Sequence, residues 1–215
     1  NVMRLSAGET ILVFNGRDGE WRAEIEGRKR PDRLVIAAST RPQDRLPDIA
    51  YVFAPLKHAR LDYMVQKAVE MGASKLQPVL TRHTQVSRVN SERMRANVVE
   101  AAEKCGILSL AAVAEPLALD RYLAAREQSR LLVFCDEASD VADPLRALQA
   151  VQAAADEMAS DPSMKAFADE ERALLLRQPH RLRLSLGPRI LRADTAGVAA
   201  LALVQAALGD WQSSG

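Results

Sequence analysis

Two arginines and an aspartate lie close together near the C-terminus, in the segment LSLGPRILRADT that covers residues 184–195. An arginine can stabilise negative charge on a reacting group, and a carboxylate beside it can accept a proton or hold the arginine in place. Arg189, Arg192 and Asp194 are therefore candidates for chemistry. An aspartate near two arginines should have a lowered pKa and be a poor base, so we favour a role for Asp194 in holding Arg192 in place. A plain helix cap is the alternative.

The elements around this segment predict an open α/β sheet. Apolar and polar residues alternate over 181–186, the period of a half-buried strand, and Gly187-Pro188 ends it. Residues 195–208 are almost entirely Ala, Val and Leu, which predicts a buried helix capped by Asp194 or Thr195. Ligands of such sheets bind beyond the carboxyl ends of the strands, which is where this connection lies.

The rest of the chain predicts two modules. Residues 8–38 contain three strand-like runs with Asn15-Gly16 and Asp18-Gly19 turn signals, so we expect a small β module. A polar linker with two prolines follows at 41–47. Beyond it, strands and helices alternate, which predicts a parallel sheet covered by helices on both faces. The predicted strands are 10–14, 21–25, 34–38, 49–54, 76–80, 111–114 and 131–135, and the predicted helices are 61–71, a Ser91-capped helix to about 104, 117–126, 142–159 and 169–177.

Composition narrows the class of protein. The chain has 215 residues, of which 48% are hydrophobic, and a net charge of +1, as expected of a folded soluble protein of one or two domains. We interpret Cys105 and Cys135 as core residues, because their spacing fits neither a metal site nor a disulfide framework, and we expect a cytoplasmic protein. No signal sequence, membrane span or common catalytic motif is recognised.

Positive charge is unevenly distributed along the chain. Acidic residues dominate 136–171, whereas every charged residue from 172 to 192 is an arginine. Cations also follow three predicted strands, and the carboxyl ends of parallel strands share one edge of a sheet, so this pattern favours a phosphate-binding surface. Solvated helix faces are the alternative. The three groups are Lys57 with Arg60, Arg82 with His83, and Arg189 with Arg192.

Several segments together resemble one protein family. They occur in the family's order and touch most of the chain, and LGPRILRADTA is a specific part of the pattern. The chain thus resembles the RsmE group of SPOUT-class RNA methyltransferases, which methylate N3 of a uridine in bacterial 16S ribosomal RNA. The segments are MRLSAGETILVFNGRDGEW (3–21), KHARLDYMVQKAVEMGASKLQPVLTRHT (57–84), EAAEKCG (100–106), FADEERALL (167–175) and LSLGPRILRADTA (184–196).

The resemblance implies a fold and partners. It implies an α/β fold in which residues 48–215 form a SPOUT-type parallel sheet with a C-terminal trefoil knot. A small PUA-like β-barrel for RNA binding would precede it at 1–43, and we expect this barrel to be truncated because the chain begins within the pattern. The family further implies S-adenosylmethionine (SAM) as methyl donor, no metal, no membrane, a homodimer, and 16S rRNA within the small ribosomal subunit as partner.

The resemblance also implies roles for individual residues. Arg192 and Asp194 would be catalytic, the strand–helix connection would hold SAM, and exposed cations would contact RNA phosphates. A simple tight connection and solubilising charges are the respective alternatives. The predicted cofactor-binding residues are Ser185, Leu186, Gly187, Ile190, Leu191, Arg192 and Thr195, and the predicted RNA-binding residues are Arg17, Arg22, Lys57, Arg82 and Arg189.

One segment departs from the family. There, FADEER follows a buried strand and a glycine-rich loop, GPEGG, that forms part of the cofactor pocket. Here residues 154–166 read AADEMASDPSMKA, with no glycine and no β-branched run, so the loop is either lost or missing from the sequence. Loss would favour a non-catalytic RNA-binding or ribosome-assembly protein on the same scaffold. A third hypothesis, besides the methyltransferase and the non-catalytic protein, is an α/β enzyme that acts on a small anionic substrate. Asp194 departs mildly, since Glu is also common there.

Overall fold

The computed structural model describes residues 5–27, 32–57, 59–84, 86, 88–136, 139, 143–154, 160–163 and 168–212. The chain divides into two compact units, residues 1–45 with 102–110 and residues 46–101 with 111–215. The strands are β1 (Thr10–Phe14), β2 (Glu20–Glu26), β3 (Arg33–Arg41), β4 (Ala50–Phe53), β5 (Lys75–Leu80), β6 (Ala112–Val113), β7 (Leu117–Ala118), β8 (Leu131–Cys135), β9 (Ser160–Ser163) and β10 (Arg181–Leu184). The helices are α1 (Ala59–Glu70), α2 (Ser91–Cys105), α3 (Leu119–Ala125), α4 (Pro144–Ala154), α5 (Asp169–Leu176) and α6 (Ala193–Leu208), followed by a 3₁₀ turn, Asp210–Gln212.

The first unit is built on an antiparallel sheet in the order β1–β2–β3, so all three predicted strands are confirmed. The predicted turn between β1 and β2 is held by Asn15, whose side-chain oxygen accepts from the backbone N–H groups of Arg17 and Asp18 at 3.0 Å. Residues 41–47 were predicted to be a linker, but they make contacts that hold them in place. Asp44 accepts from the backbone N–H of Leu108 at 2.7 Å, which ties this segment to residues 102–110.

The second unit contains a sheet of seven strands in the order β10–β8–β9–β4–β5–β6, with β7 also beside β5. Every pairing is parallel, which confirms the predicted sheet. The strand β9 was not predicted, because its sequence, SDPS, has no apolar or β-branched residue. It pairs with β8 over four residues and with β4 at one position.

Helices pack on both faces of this sheet. On one face, residues of α3 and α5 join sheet residues such as Val52 and Phe134 in a buried cluster. The helices α1 and α4 both pack on α6, whose residues Ala200, Leu201 and Val204 are buried. This confirms that the long apolar helix belongs to the core. Among the described residues, none of the helices is both long enough and apolar enough to cross a membrane.

Two predicted helix caps are wrong by one to three positions. For α2 the cap is Asn90 rather than Ser91, since the Asn90 side chain accepts from the backbone N–H of Arg93 at 2.9 Å. For α6 the capping position is Arg192, without a side-chain cap bond. Asp194 and Thr195 lie inside the first turn, so neither caps the helix. The carboxylate of Asp194 is thus available for a tertiary contact.

A buried glutamine joins the ends of α1 and α6. The side chain of Gln205 is fully buried, donates to the carbonyl of Met71 at 2.7 Å and accepts from the N–H of Asp210 at 3.1 Å. Replacing it by leucine leaves both backbone groups without their partner, so we expect Gln205→Leu to lower the free energy of unfolding by about 2 kcal/mol. Urea unfolding measures this loss. The exposed Gln212, on the same helix end, is the control, and we expect Gln212→Ala to change it by less than about 0.5 kcal/mol.

Candidate active site

The connection between β10 and α6 borders a small cavity of about 60 Å³. The strands β8 and β10 are neighbours with Cys135 opposite Leu184, so the connection starts beside the end of β8. This is the carboxyl edge of the parallel sheet, as the sequence predicted. The residues lining the cavity are Cys135, Asp136, Leu186, Gly187, Arg189, Ile190, Leu191 and Ala196.

Four of the seven residues predicted to hold a cofactor line this cavity: Leu186, Gly187, Ile190 and Leu191. Gly187 has φ of +97°, a conformation that favours glycine, and a Cβ placed there would meet no atom within 4 Å. Ile190 is 89% exposed although it is apolar. An open backbone and an exposed apolar side chain suit a flat ligand lying against this loop. The other three, Ser185, Arg192 and Thr195, are not among the lining residues, although they flank the same connection.

Sequence reasoning missed a buried carboxylate in the cavity wall. Asp136 is 3% exposed and directly follows β8. Its Oδ2 accepts from Arg172 Nε at 3.0 Å and from Arg183 Nε at 3.2 Å, so one carboxylate joins α5 and β10. The excess of arginine after residue 171 indicated that an acidic partner was needed, but the sequence did not indicate that Asp136 is this partner. The neighbouring Cys135 is buried, which raises its pKa to about 12 and keeps it a neutral thiol.

Asp194 binds a different arginine from the one proposed. Its carboxylate accepts from Arg60 Nε at 3.0 Å and from Arg60 Nη2 at 3.1 Å, a two-pronged pair that joins the first turns of α1 and α6. The lowered pKa expected for Asp194 is present, chiefly because Arg60 donates these bonds. The interpretation that Asp194 orients Arg192 is corrected: the arginine that it orients is Arg60.

The predicted RNA-contacting cations fall into separate groups. Arg189 lines the cavity, and Lys57 lies exposed just before α1, three positions before Arg60. Arg82 is paired with Glu170 at 3.1 Å, an acidic partner that the sequence did not suggest. Arg17 and Arg22 are exposed in the first unit. The Arg60–Asp194 contact therefore brings together two of the three expected groups of cations, those after β4 and β10.

The Arg60–Asp194 pair is expected to make the stability of the fold depend on pH. Because the folded state lowers the pKa of Asp194, the pair stabilises the fold above the unfolded value, about 3.9, and this stabilisation is lost as pH falls through the folded value. We expect wild type to be more stable than Asp194→Asn at pH 6 and the difference to shrink below about pH 4. Thermal unfolding of both proteins from pH 3 to 7 measures it. A difference independent of pH would contradict the pairing.

Comparison with protein families agrees with this geometry. A family model described as an RNA methyltransferase domain matches residues 43–205, and one described as an RNA methyltransferase PUA domain matches residues 1–33. The chain belongs to this RNA methyltransferase family. The family expected from the sequence segments is therefore confirmed.

Individual members of the family show how far the likeness extends. Two relatives are named ribosomal RNA small subunit methyltransferase E. The one from Rickettsia conorii is 26% identical over 206 residues, or 95% of this chain and 83% of the relative. The one from Synechocystis sp. is 28% identical over 214 residues, which cover 96% of this chain and 69% of the relative. A solved structure of a proposed methyltransferase from Legionella pneumophila, in complex with SAM, is 26% identical with a TM-score of 0.77, covering 95% of this chain and 85% of that chain.

The cavity formed by the described residues is small for a ligand-binding pocket. Ligand pockets usually measure roughly 300–1,000 Å³, well above the cavity here. The sequence lacks the family's glycine-rich loop in residues 154–166, and of this segment residues 155–159 and 164–166 lie outside the described residues. The open backbone at Gly187 and the apolar Leu186 and Ile190 suit an adenine ring. In the described part of the chain, no group of three or more His, Cys, Asp or Glu could hold a metal ion.

Proposed function

We propose that this protein is a SAM-dependent methyltransferase that methylates N3 of a specific uridine in 16S ribosomal RNA. The observation that carries the proposal is the position of LGPRILRADT, which leads from the half-buried strand β10 into the buried helix α6 and contributes five of its residues to the lining of a cavity at the carboxyl edge of the sheet. The names of the two curated relatives supply the substrate, and the solved relative with bound SAM supplies the methyl donor.

When bound, SAM supplies an electrophilic methyl group on a sulfonium centre. Methylation of uracil N3 replaces its N–H bond by a bond to carbon, so the proton must pass to water, and its loss leaves negative charge on the ring oxygens. Arg192, exposed next to the cavity, stabilises that charge, as an oriented cation does most effectively in a site that excludes water. Asp194 is a poor base because Arg60 keeps it ionised, so its role is to orient rather than to take the proton.

The remaining features of the proposal follow the family. Residues 1–43 would complete a PUA-like barrel that binds RNA through Arg17 and Arg22, and residues 48–215 would form a homodimeric catalytic domain with a C-terminal trefoil knot. The three-stranded antiparallel sheet supports the RNA-binding module, and the match of residues 43–205 to the RNA methyltransferase domain supports the catalytic domain. We place the protein in the cytoplasm, with the small ribosomal subunit as the particle on which it acts.

Two measurements test the function. Titration calorimetry with SAM should give heat of binding, and tritiated SAM should transfer label to 16S rRNA, offered as free RNA and as assembled subunits. Label at uridine N3, located by nucleoside analysis, supports the proposal. RNA binding without SAM binding would favour the non-catalytic scaffold protein instead. SAM binding without label in either form of RNA would favour an enzyme that acts on another substrate.

A further inference from the structure

Arg60 has an unused hydrogen-bonding edge. The guanidinium has five N–H donors, and the pair with Asp194 uses one on Nε and one on Nη2. Among the described residues no other hydrogen bond or ion pair involves this side chain, so both donors of Nη1 and the second donor of Nη2 remain open. These three donors point away from the carboxylate that holds the group.

The open edge faces solvent rather than the protein core. The Arg60 side chain is 48% exposed, whereas that of Asp194 is 18% exposed. The carboxylate therefore lies on the inner side of the pair and the guanidinium on the outer side. A long arginine side chain loses rotamer entropy when it binds an anion, and a chain already held by two bonds has less entropy left to lose.

The charge around the pair remains positive. Lys57 precedes α1 by two residues, and Arg192 is the capping residue of α6, next to Asp194 in the first turn; both are exposed. Lys57 lies three positions before Arg60 and Arg192 two positions before Asp194, so with Arg60 these described residues place three cations close in sequence to the carboxylate of Asp194. The pair therefore sits in a basic environment in which an anion is attracted, even though Asp194 offsets one charge.

We propose that Arg60 is a further substrate-binding residue, whose open edge, held in place by Asp194, binds a backbone phosphate of the RNA. The inference rests on the proposed function, because RNA is taken as the substrate. Arginine forms two parallel hydrogen bonds to phosphate oxygens, and the edge formed by Nη1 and Nη2 has the geometry for this. The carboxylate of SAM offers similar oxygens, and its binding is the outcome that would overturn the assignment to RNA.

Salt dependence separates the two ligands. Each phosphate neutralised by a cation contributes about 0.7 to 0.9 to the slope of log affinity against log salt. The test is to measure the affinity of the protein for transcribed 16S rRNA between 50 and 200 mM KCl, and its affinity for SAM by calorimetry. We expect Arg60→Ala to lower the slope by about one unit and to leave SAM affinity within twofold of wild type.

A matched arginine controls for loss of charge. Arg93 makes the same two-pronged contact with Asp62, with Nε to Oδ1 at 3.0 Å, and is 59% exposed. Asp62 lies two residues from Arg60 and hence on the opposite side of α1. We expect Arg93→Ala to leave the salt slope unchanged. Arg60→Lys should keep the slope but weaken RNA binding several-fold, because lysine keeps the charge without the planar edge.

The outcomes distinguish this inference from the function on which it rests. If Arg60→Ala keeps the wild-type slope, or loses SAM affinity instead, the inference is wrong and the methyltransferase assignment stands. If wild type binds neither SAM nor RNA, the proposed function itself fails. Should Arg60→Ala not fold, Arg60→Lys and Asp194→Asn carry the test. Asp194→Asn retains the cation, so its slope should be at least as steep as that of wild type.

Discussion

Replacing Arg192 by alanine is expected to lower kcat for methyl transfer by about 10²- to 10³-fold, the usual effect of removing one group that stabilises a developing anion. The KM for RNA should change much less, because the charge on the uracil ring arises only as the reaction proceeds. Single-turnover transfer of labelled methyl from SAM to 16S rRNA measures the rate of the chemical step directly.

The Arg192→Ala substitution is expected to leave the start of α6 unchanged. Arg192 caps α6 through its carbonyl, which accepts from the N–H of Ala196 at 2.8 Å, and alanine keeps that bond. No side-chain cap bond is lost. The control is Arg181→Ala, which removes an exposed arginine at the other end of β10 and should keep the wild-type rate. An unchanged rate for Arg192→Ala would remove this residue from the catalytic site, whereas lost SAM affinity would make it a cofactor ligand.

Replacing Asp136 by alanine is expected to lower the free energy of unfolding by about 3 kcal/mol, because a buried ion pair that loses one partner leaves the other charge uncompensated. Asp136 is 3% exposed and serves both Arg172 and Arg183, whose side chains are only about a third exposed. The loss would lower Tm by about 10 °C for a chain of this length. Since Asp136 also lines the cavity, we expect SAM binding to weaken with it.

An exposed pair provides the control for Asp136. Asp48 accepts from Arg130 at 2.7 Å but is 68% exposed, so we expect Asp48→Ala to cost less than about 1 kcal/mol. Urea unfolding followed by circular dichroism measures both variants. If both variants lost the same free energy of unfolding, burial of the Asp136 carboxylate would add nothing to the stability of its ion pairs. A stable Asp136→Ala protein that no longer binds SAM would instead assign this carboxylate to the ligand.

Much of the fold was predictable because its strands and helices carry clear periodic patterns. Strands such as Thr10–Phe14 and Leu131–Cys135 were predicted to the residue, and the buried helix α6 to within two. The failure at β9 has a physical cause. Ser160–Ser163 has no hydrophobic alternation and contains Pro162, which rarely occurs inside a central strand. Pairing with β8 on one side, rather than local preference, defines this strand.

The candidate site was predictable in place but not in its contacts. The order of strand, glycine turn and helix located the connection around Gly187, because sheets of this class bind ligands there. Sequence patterns cannot pair residues that lie far apart, however. Arg60 and Asp194 are separated by 134 positions, and the Asp136 cluster joins three segments. Of the two cysteines interpreted as core residues, Cys135 is buried, although it also lines the cavity, whereas Cys105 is exposed, so the prediction is wrong for Cys105.

The short strand β9 gives the sheet an internal seam. Over the residues that the structure describes, it shares four residue pairs with β8 and the single Val52–Ser163 pair with β4. Pulling the sheet apart across its strands in a force experiment should therefore open it between β4 and β9. Because α1 follows β4 and packs on α6, which follows β10, the Arg60–Asp194 pair bridges this seam and has to break before the two sides separate. The pair that orients the proposed RNA-binding arginine thus also ties together the two sides of the sheet that meet at β9.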